Sequence, residues 1–131
     1  MSELNSASKP PPPYQVLPII GRIILVYKVW HAYVKNFPKD FRYTLGGKIE
    51  NFFIEIIECL FIASRLAREQ KLPYLQKASL KLDLLKFFLQ ISWECKVLES
   101  KKYIEISEHL EQIGKQIGGW QKDVIRKINP A

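Results

Sequence analysis

The chain has 131 residues, enough for one domain with its own core. At 47% hydrophobic and 25% charged residues, its composition excludes wholesale disorder. The net charge of +7 favours polyanionic partners, namely nucleic acid, an acidic protein or an anionic membrane surface, with a basic protein lacking any such partner as the alternative.

The N-terminus is polar and then Pro-rich, without a basic and then apolar leader pattern, so no signal peptide is expected. Residues 1–17 read as a flexible arm in which Lys9-Pro10-Pro11-Pro12-Pro13-Tyr14 samples polyproline II, as a plain tail or as a PxxP-type ligand. The apolar stretch from Val16 to Val34 is broken by Pro18, Arg22, Lys28 and His31, which argues against a membrane span. Residues 18–129 are expected to form a bundle with helices at about 19–35, 43–68, 74–98 and 101–128.

In the first helix Ile23, Tyr27, Trp30 and Val34 recur on one face, and Phe37-Pro38 ends it. In the second, Leu45, Ile49, Phe52, Phe53, Ile56, Ile57, Leu60 and Phe61 surround a stripe of Lys48, Asn51, Glu55, Glu58 and Arg65. Gly46-Gly47 weakens its start, and close backbone packing is the expected compensation.

Leu72-Pro73 marks a short connection, with Pro73 suited to a first helical turn. In the third helix Ala78, Leu82, Leu85, Leu89 and Ser92 form a seam, widened by Leu80, Leu84, Phe87, Phe88 and Ile91. Ser100 is the expected cap of the fourth helix. There Tyr103, Ile106, Leu110, Ile113, Ile117, Trp120 and Val124 follow 3-4 spacing, while Gly114, Gly118 and Gly119 call for a close neighbour. No segment alternates with period two, and short turns between long helices make neighbours antiparallel. The fold class is therefore all-α, an antiparallel up-down-up-down four-helix bundle.

No catalytic set emerges, and no metal or other cofactor is expected. His31 and His109 lack the Glu-x-x-His partners of di-iron bundles, HExxH is missing, and the glycine that would open a phosphate loop before Gly47-Lys48 falls at Arg42. Glu55 with Glu58, and Glu105 with Glu108, sit on polar stripes and read as solvated carboxylates. Cys59 and Cys95 lie far from any CxxC or zinc spacing and read as buried free thiols in a reducing cytoplasm.

Positive charge gathers on the first and third helices and at the end of the fourth, where Lys28, Lys81 and Lys122 are candidate phosphate contacts. Solubilising an apolar bundle is the competing role for these lysines. Tyr27, Tyr33 and Trp93 are candidate base-stacking rings, with core packing as the competing role. The apolar arcs of helices two and three are wider than a monomer needs, which points to a symmetric oligomer.

Several blocks carry a family resemblance. Phe37-Pro38-Lys39-Asp40-Phe41-Arg42-Tyr43-Thr44-Leu45-Gly46-Gly47-Lys48-Ile49 resembles the start of the second helix in the four-helix-bundle proteins encoded in ribosomal RNA intervening sequences. Leu72-Pro73 to Ala78, Lys81-Leu82-Asp83-Leu84-Leu85-Lys86-Phe87-Phe88-Leu89 and Ile113-Gly114-Lys115-Gln116-Ile117-Gly118-Gly119-Trp120 resemble the accessory variability determinant of diversity-generating retroelements.

The resemblance spans about residues 19–127. It implies a homopentameric barrel and a non-enzymatic partner of the retroelement's reverse transcriptase. Such a partner binds template RNA and cDNA in the cytoplasm of a bacterial or phage-infected cell. It also implies basic positions at Arg22, Lys86, Arg126 and Lys127, with Gln90 where some relatives carry a further arginine. A ribosomal intervening-sequence protein and a purely structural protein-binding bundle are the other readings.

Overall fold

The computed structural model describes residues 9–129, so the part of the expected arm at residues 1–8 lies outside the described residues. Four long helices dominate: α1 (Pro18–Tyr33), α2 (Leu45–Arg65), α3 (Arg68–Glu94) and α4 (Ser100–Ile128). A 3-10 turn, Val34–Asn36, and a single helical turn, Lys39–Arg42, link α1 to α2. No described residue lies in a strand. The molecule is an all-α four-helix bundle in which α3 packs chiefly on α2 and α4, and α1 lies across α2 and α4.

One apolar core runs through all four helices. The seam of α3 (Leu75, Ala78, Leu82, Leu85, Leu89 and Ser92) is buried along its length. Ile106, Leu110, Ile113, Ile117 and Val124 of α4 face it, as 3-4 spacing requires. Trp30 of α1 is fully buried, its ring 5.4 Å from Phe37 and 6.4 Å from Phe53. Ser92, the one buried polar residue of this core, donates from Oγ to the Phe88 carbonyl within its own helix and so buries no unsatisfied hydroxyl.

The α1–α2 connection is built from the block that carries the resemblance. Phe37 is buried, and the Arg42 guanidinium donates to the carbonyls of Lys35 (3.0 Å) and Phe37 (3.2 Å), which a 3-10 turn leaves without helical partners. Thr44 Oγ1 donates to the Asp40 carbonyl at 2.9 Å. Across the α1–α2 groove the Tyr27 hydroxyl donates to Glu50 Oε2, and His31 Nδ1 lies 3.6 Å from Glu50 Oε1. That bond, followed by burial, raises the Tyr27 pKa above its ordinary value.

Several expectations are corrected. α2 ends at Arg65, not near residue 68. α3 begins at Arg68, not near residue 74, and Pro73 sits inside it. Arg68-Glu69-Gln70-Lys71-Leu72 is rich in good helix formers, and Lys71 Nζ anchors this turn on the Ala63 carbonyl at 2.7 Å. The exposed Pro73 costs one helical hydrogen bond there without ending the helix. α3 ends at Glu94, not near 98, because Lys96 adopts a left-handed φ of 64° and turns the chain, returning the Val97 and Leu98 N–H groups to the Ser92 carbonyl.

Ser100 is the first residue of α4 and not its cap; its hydroxyl accepts the Trp93 indole N–H at 2.9 Å. Cys59 is buried, as expected, and burial pushes its thiol up, but Cys95 lies exposed just past α3.

The glycines divide. A Cβ on Gly46 would lie 2.9 Å from Val34 Cγ2 and 3.4 Å from the Phe41 carbonyl oxygen, so this helix start is pressed against the connection. Gly47, Gly118 and Gly119 have no such neighbour among the described residues, so packing within one bundle does not account for the glycine pair in α4. Gly114 meets only ordinary contacts, with Leu82 at 3.4 Å and Lys86 Nζ at 3.6 Å. Gly46→Ala is expected to cost about 1 kcal/mol or more although alanine is the better helix former, whereas Gly47→Ala should stabilise by up to about 1 kcal/mol. Urea denaturation of the two variants checks this, and equal effects would remove the clash with Val34 from the account.

Candidate nucleic-acid interface

The seven nominated cations fall in three places. Arg22 and Lys28 are both exposed on α1 but six residues apart, hence about 120° apart around the helix. Arg22 borders a cavity of about 220 Å3 with Leu25, Val26, Val29 and His109 of α4.

Lys81 and Lys86 lie on opposite flanks of α3. Lys81 Nζ is 3.1 Å from Glu55 and sits over the Phe52 ring, in the α2–α3 groove. Lys86 Nζ is 2.8 Å from Glu111, in the α3–α4 groove. Each must release a carboxylate before it can serve a phosphate.

Lys122, Arg126 and Lys127 come together on the last two turns of α4. Arg126 and Lys127 share Asp123 at 3.1 and 3.0 Å, while Lys122 is exposed and makes no ion pair among the described residues.

The end of the bundle adds three cations that were not nominated. Only Leu66 and Ala67 separate α2 from α3, so Arg65 and Arg68 sit side by side at this end. Lys71, one turn into α3, lies 5.9 Å over the Trp120 ring of α4. Trp120 also borders a surface cavity of about 360 Å3 with Leu17, Pro18, Ile19 and Gln116, so the start of α1 belongs to the same end.

Six cations against two carboxylates, Glu69 and Asp123, leave this end with +4 of the chain's +7. Arg65 and Arg68 are exposed and make no ion pair among the described residues. The opposite end is more evenly mixed, with Lys35, Lys39, Arg42, Lys96, Lys101 and Lys102 among Asp40, Glu94, Glu99 and Glu105, a net +2. A shorter α2–α3 link was the missing signal, since helices at 43–68 and 74–98 put Arg68 at the end of the second helix and Lys71 in a loop.

The three nominated aromatic rings are engaged within the fold. Tyr27 packs on Phe53 and bonds Glu50, and Tyr33 packs on Phe37 with Lys102 over its ring. Trp93 stacks on Tyr103 at 5.2 Å and 18°. Among the described residues no helix is long and apolar enough to cross a membrane. Among the described residues no group of three or more His, Cys, Asp or Glu could hold a metal ion.

The paired carboxylates titrate low. The Lys86 ammonium, by hydrogen bond and then by charge, holds Glu111 below its ordinary value, and Lys127 with Arg126 does the same to Asp123. A lowered folded-state pKa stabilises the fold above the ordinary carboxylate pKa, and that contribution is lost as pH falls through the folded-state value. Lys86→Met is expected to return Glu111 to the ordinary carboxylate range, read by NMR titration of its side-chain carboxyl carbon. A Glu111 titration that does not move would show that Lys86 is not its partner in solution.

Residues 19–124 match the family model described as bAvd-like. No curated protein and no solved structure gives a significant match. The matched region runs from the first turn of α1 almost to the end of α4 and takes in the α1–α2 connection and the α3 seam. A match over that much of the chain places it in a family: this chain belongs to the bAvd-like family, the accessory variability determinants that the sequence blocks resemble.

Proposed function

We propose that this chain is a non-enzymatic accessory protein of a diversity-generating retroelement. It binds template RNA and cDNA, together with the reverse transcriptase, and supports mutagenic cDNA synthesis in the cytoplasm. The family match over residues 19–124 carries this reading. The +4 end of the bundle supports the nucleic-acid part, because phosphate contacts need accessible, uncompensated cations. Arg22, Lys28 and Lys122 engage phosphates directly in this reading, whereas Lys81, Lys86, Arg126 and Lys127 do so by exchanging Glu55, Glu111 and Asp123 for a phosphate.

The functional unit in this reading is a homopentamer of antiparallel up-down-up-down bundles. Pairings of Ala63 with Lys71, Glu55 with Lys81 and Phe52 with Phe88 support opposite directions for α2 and α3, since one number falls as the other rises. Leu25, Leu80 and Phe87 are 63%, 58% and 53% exposed, which supports apolar contact between copies. Five chains at +7 carry a formal +35, a strong field for RNA.

Neutralising Arg22, Lys86, Arg126 and Lys127 to glutamine or methionine is expected to weaken template-RNA binding and flatten its log–log salt dependence by up to about 3, at roughly 0.7 per lost contact. Anisotropy titrations between low and high salt read this, and an unchanged affinity and slope would overturn the RNA-binding reading. Light scattering of the unaltered protein is expected to give an oligomer that the four substitutions leave intact. A monomer at micromolar concentration would remove the pentamer from the proposal.

A further inference from the structure

The arm residues 9–17 lie outside the family match and form neither helix nor strand. Four successive prolines restrict φ and supply no N–H, so this segment stays extended and joins no helix or sheet ladder. It reaches the basic end at two points. Tyr14 meets Phe61 of α2 edge-on, with ring centroids 5.6 Å apart, and Leu17 with Pro18 borders the cavity beside Trp120 of α4.

Tyr14 is an unusual contact. Its ring packs on Phe61, and the Arg65 guanidinium carbon lies 5.7 Å from the centroids of both rings, yet Tyr14 remains 73% exposed. A ring that buries so little contributes little to the fold, and it leaves an accessible π surface beside an arginine without an ion pair among the described residues. At the same end, the Trp120 ring and the Lys71 ammonium repeat the pairing of aromatic and cation.

Aromatic rings interleaved with phosphate-binding cations suit unpaired nucleobases, whose faces are free to stack, and not a duplex, whose bases stack on one another. We propose that the bundle end formed by Tyr14, Arg65, Arg68, Lys71, Trp120 and Lys122 is a single-strand-selective nucleic-acid site. Tyr14 stacks a base, and Arg65, Arg68 and Lys122 hold the adjoining phosphates. This rests on the nucleic-acid reading above and adds to it a location, a strand preference and a role for the Pro-rich arm.

The test uses the full chain, a fluorescent single-stranded RNA of mixed sequence, and the same sequence as a duplex. Tyr14→Leu keeps an apolar contact with Phe61 but removes the stacking ring. It is expected to weaken single-strand binding about fivefold or more and leave duplex binding within about twofold.

Arg65→Gln/Arg68→Gln is expected to weaken binding of both RNAs and to flatten the single-strand salt slope by about 1.4, two contacts at roughly 0.7 each. Lys39→Gln/Lys101→Gln changes net charge equally at the opposite end and should bind as the unaltered chain does. Circular-dichroism melts show that each variant is folded.

Single-strand binding unchanged by Tyr14→Leu, or lost equally for the duplex, overturns the stacking site. Equal losses for the two double variants overturn its location. In those cases nucleic-acid binding itself stands. If the unaltered protein binds neither RNA, the functional reading fails and this site fails with it.

Discussion

Burial of the α3 seam is the constraint on which the rest of the molecule depends. Leu75, Ala78, Leu82, Leu85 and Leu89 lie on one face of a helix of 27 residues, and no single neighbour can cover that length and width. α2 closes one flank and α4 the other, with α1 filling the remaining side through Trp30. Once the flanks are closed, the lysines beside the seam are committed. Lys81 is drawn to Glu55 across one groove and Lys86 to Glu111 across the other. Partly exposed, solvent-screened ion pairs of this kind add little stability. Their consequence is electrostatic, because they compensate positive charge along the sides of the bundle.

With charge compensated along the sides, the end where α2 meets α3 keeps three cations, Arg65, Arg68 and Lys122, without an ion pair among the described residues. There the two-residue link between α2 and α3 sets Arg65 beside Arg68, with Lys71 one turn into α3, and the last turns of α4 bring three more cations, against Glu69 and Asp123. Aromatic rings at this end sit beside cations, as Trp120 does beside Lys71 and Tyr14 beside Arg65. Rings elsewhere vary: Trp93 stacks on Tyr103, Lys102 lies over Tyr33, and Tyr43 is exposed. The nucleic-acid role proposed above calls for a surface that attracts a backbone without reading its sequence, and such an end supplies one.

The α1–α2 connection has a different purpose. Buried Phe37, the Arg42 guanidinium on two carbonyls and the narrow slot at Gly46 hold α1 at a set angle to α2. The block from Phe37 to Ile49 is thus a structural joint. It explains why a stretch rich in lysine and arginine contributes no cation to the basic end: its charges lie at the other end of the bundle or, like Arg42, are spent on the backbone.

Helical periodicity in the sequence was enough to determine the all-α class, the four long helices, and the buried seams of α3 and α4. A helix repeats every 3.6 residues, so a face that must be buried is visible as a local pattern. Local pattern failed where distant groups decide. Pro73 is tolerated inside α3 because Lys71 anchors the preceding turn on Ala63, and the Ser100 hydroxyl is taken by Trp93 and not by a helix end. The glycines of α4 looked alike, yet the one glycine under real pressure is Gly46 in α2, pressed by Val34. The same holds for charge. The sequence showed which residues are cations, but only the tertiary structure decided which of them have a carboxylate within reach and which converge at one end, because pairing depends on distances between helices that spacing along the chain does not encode.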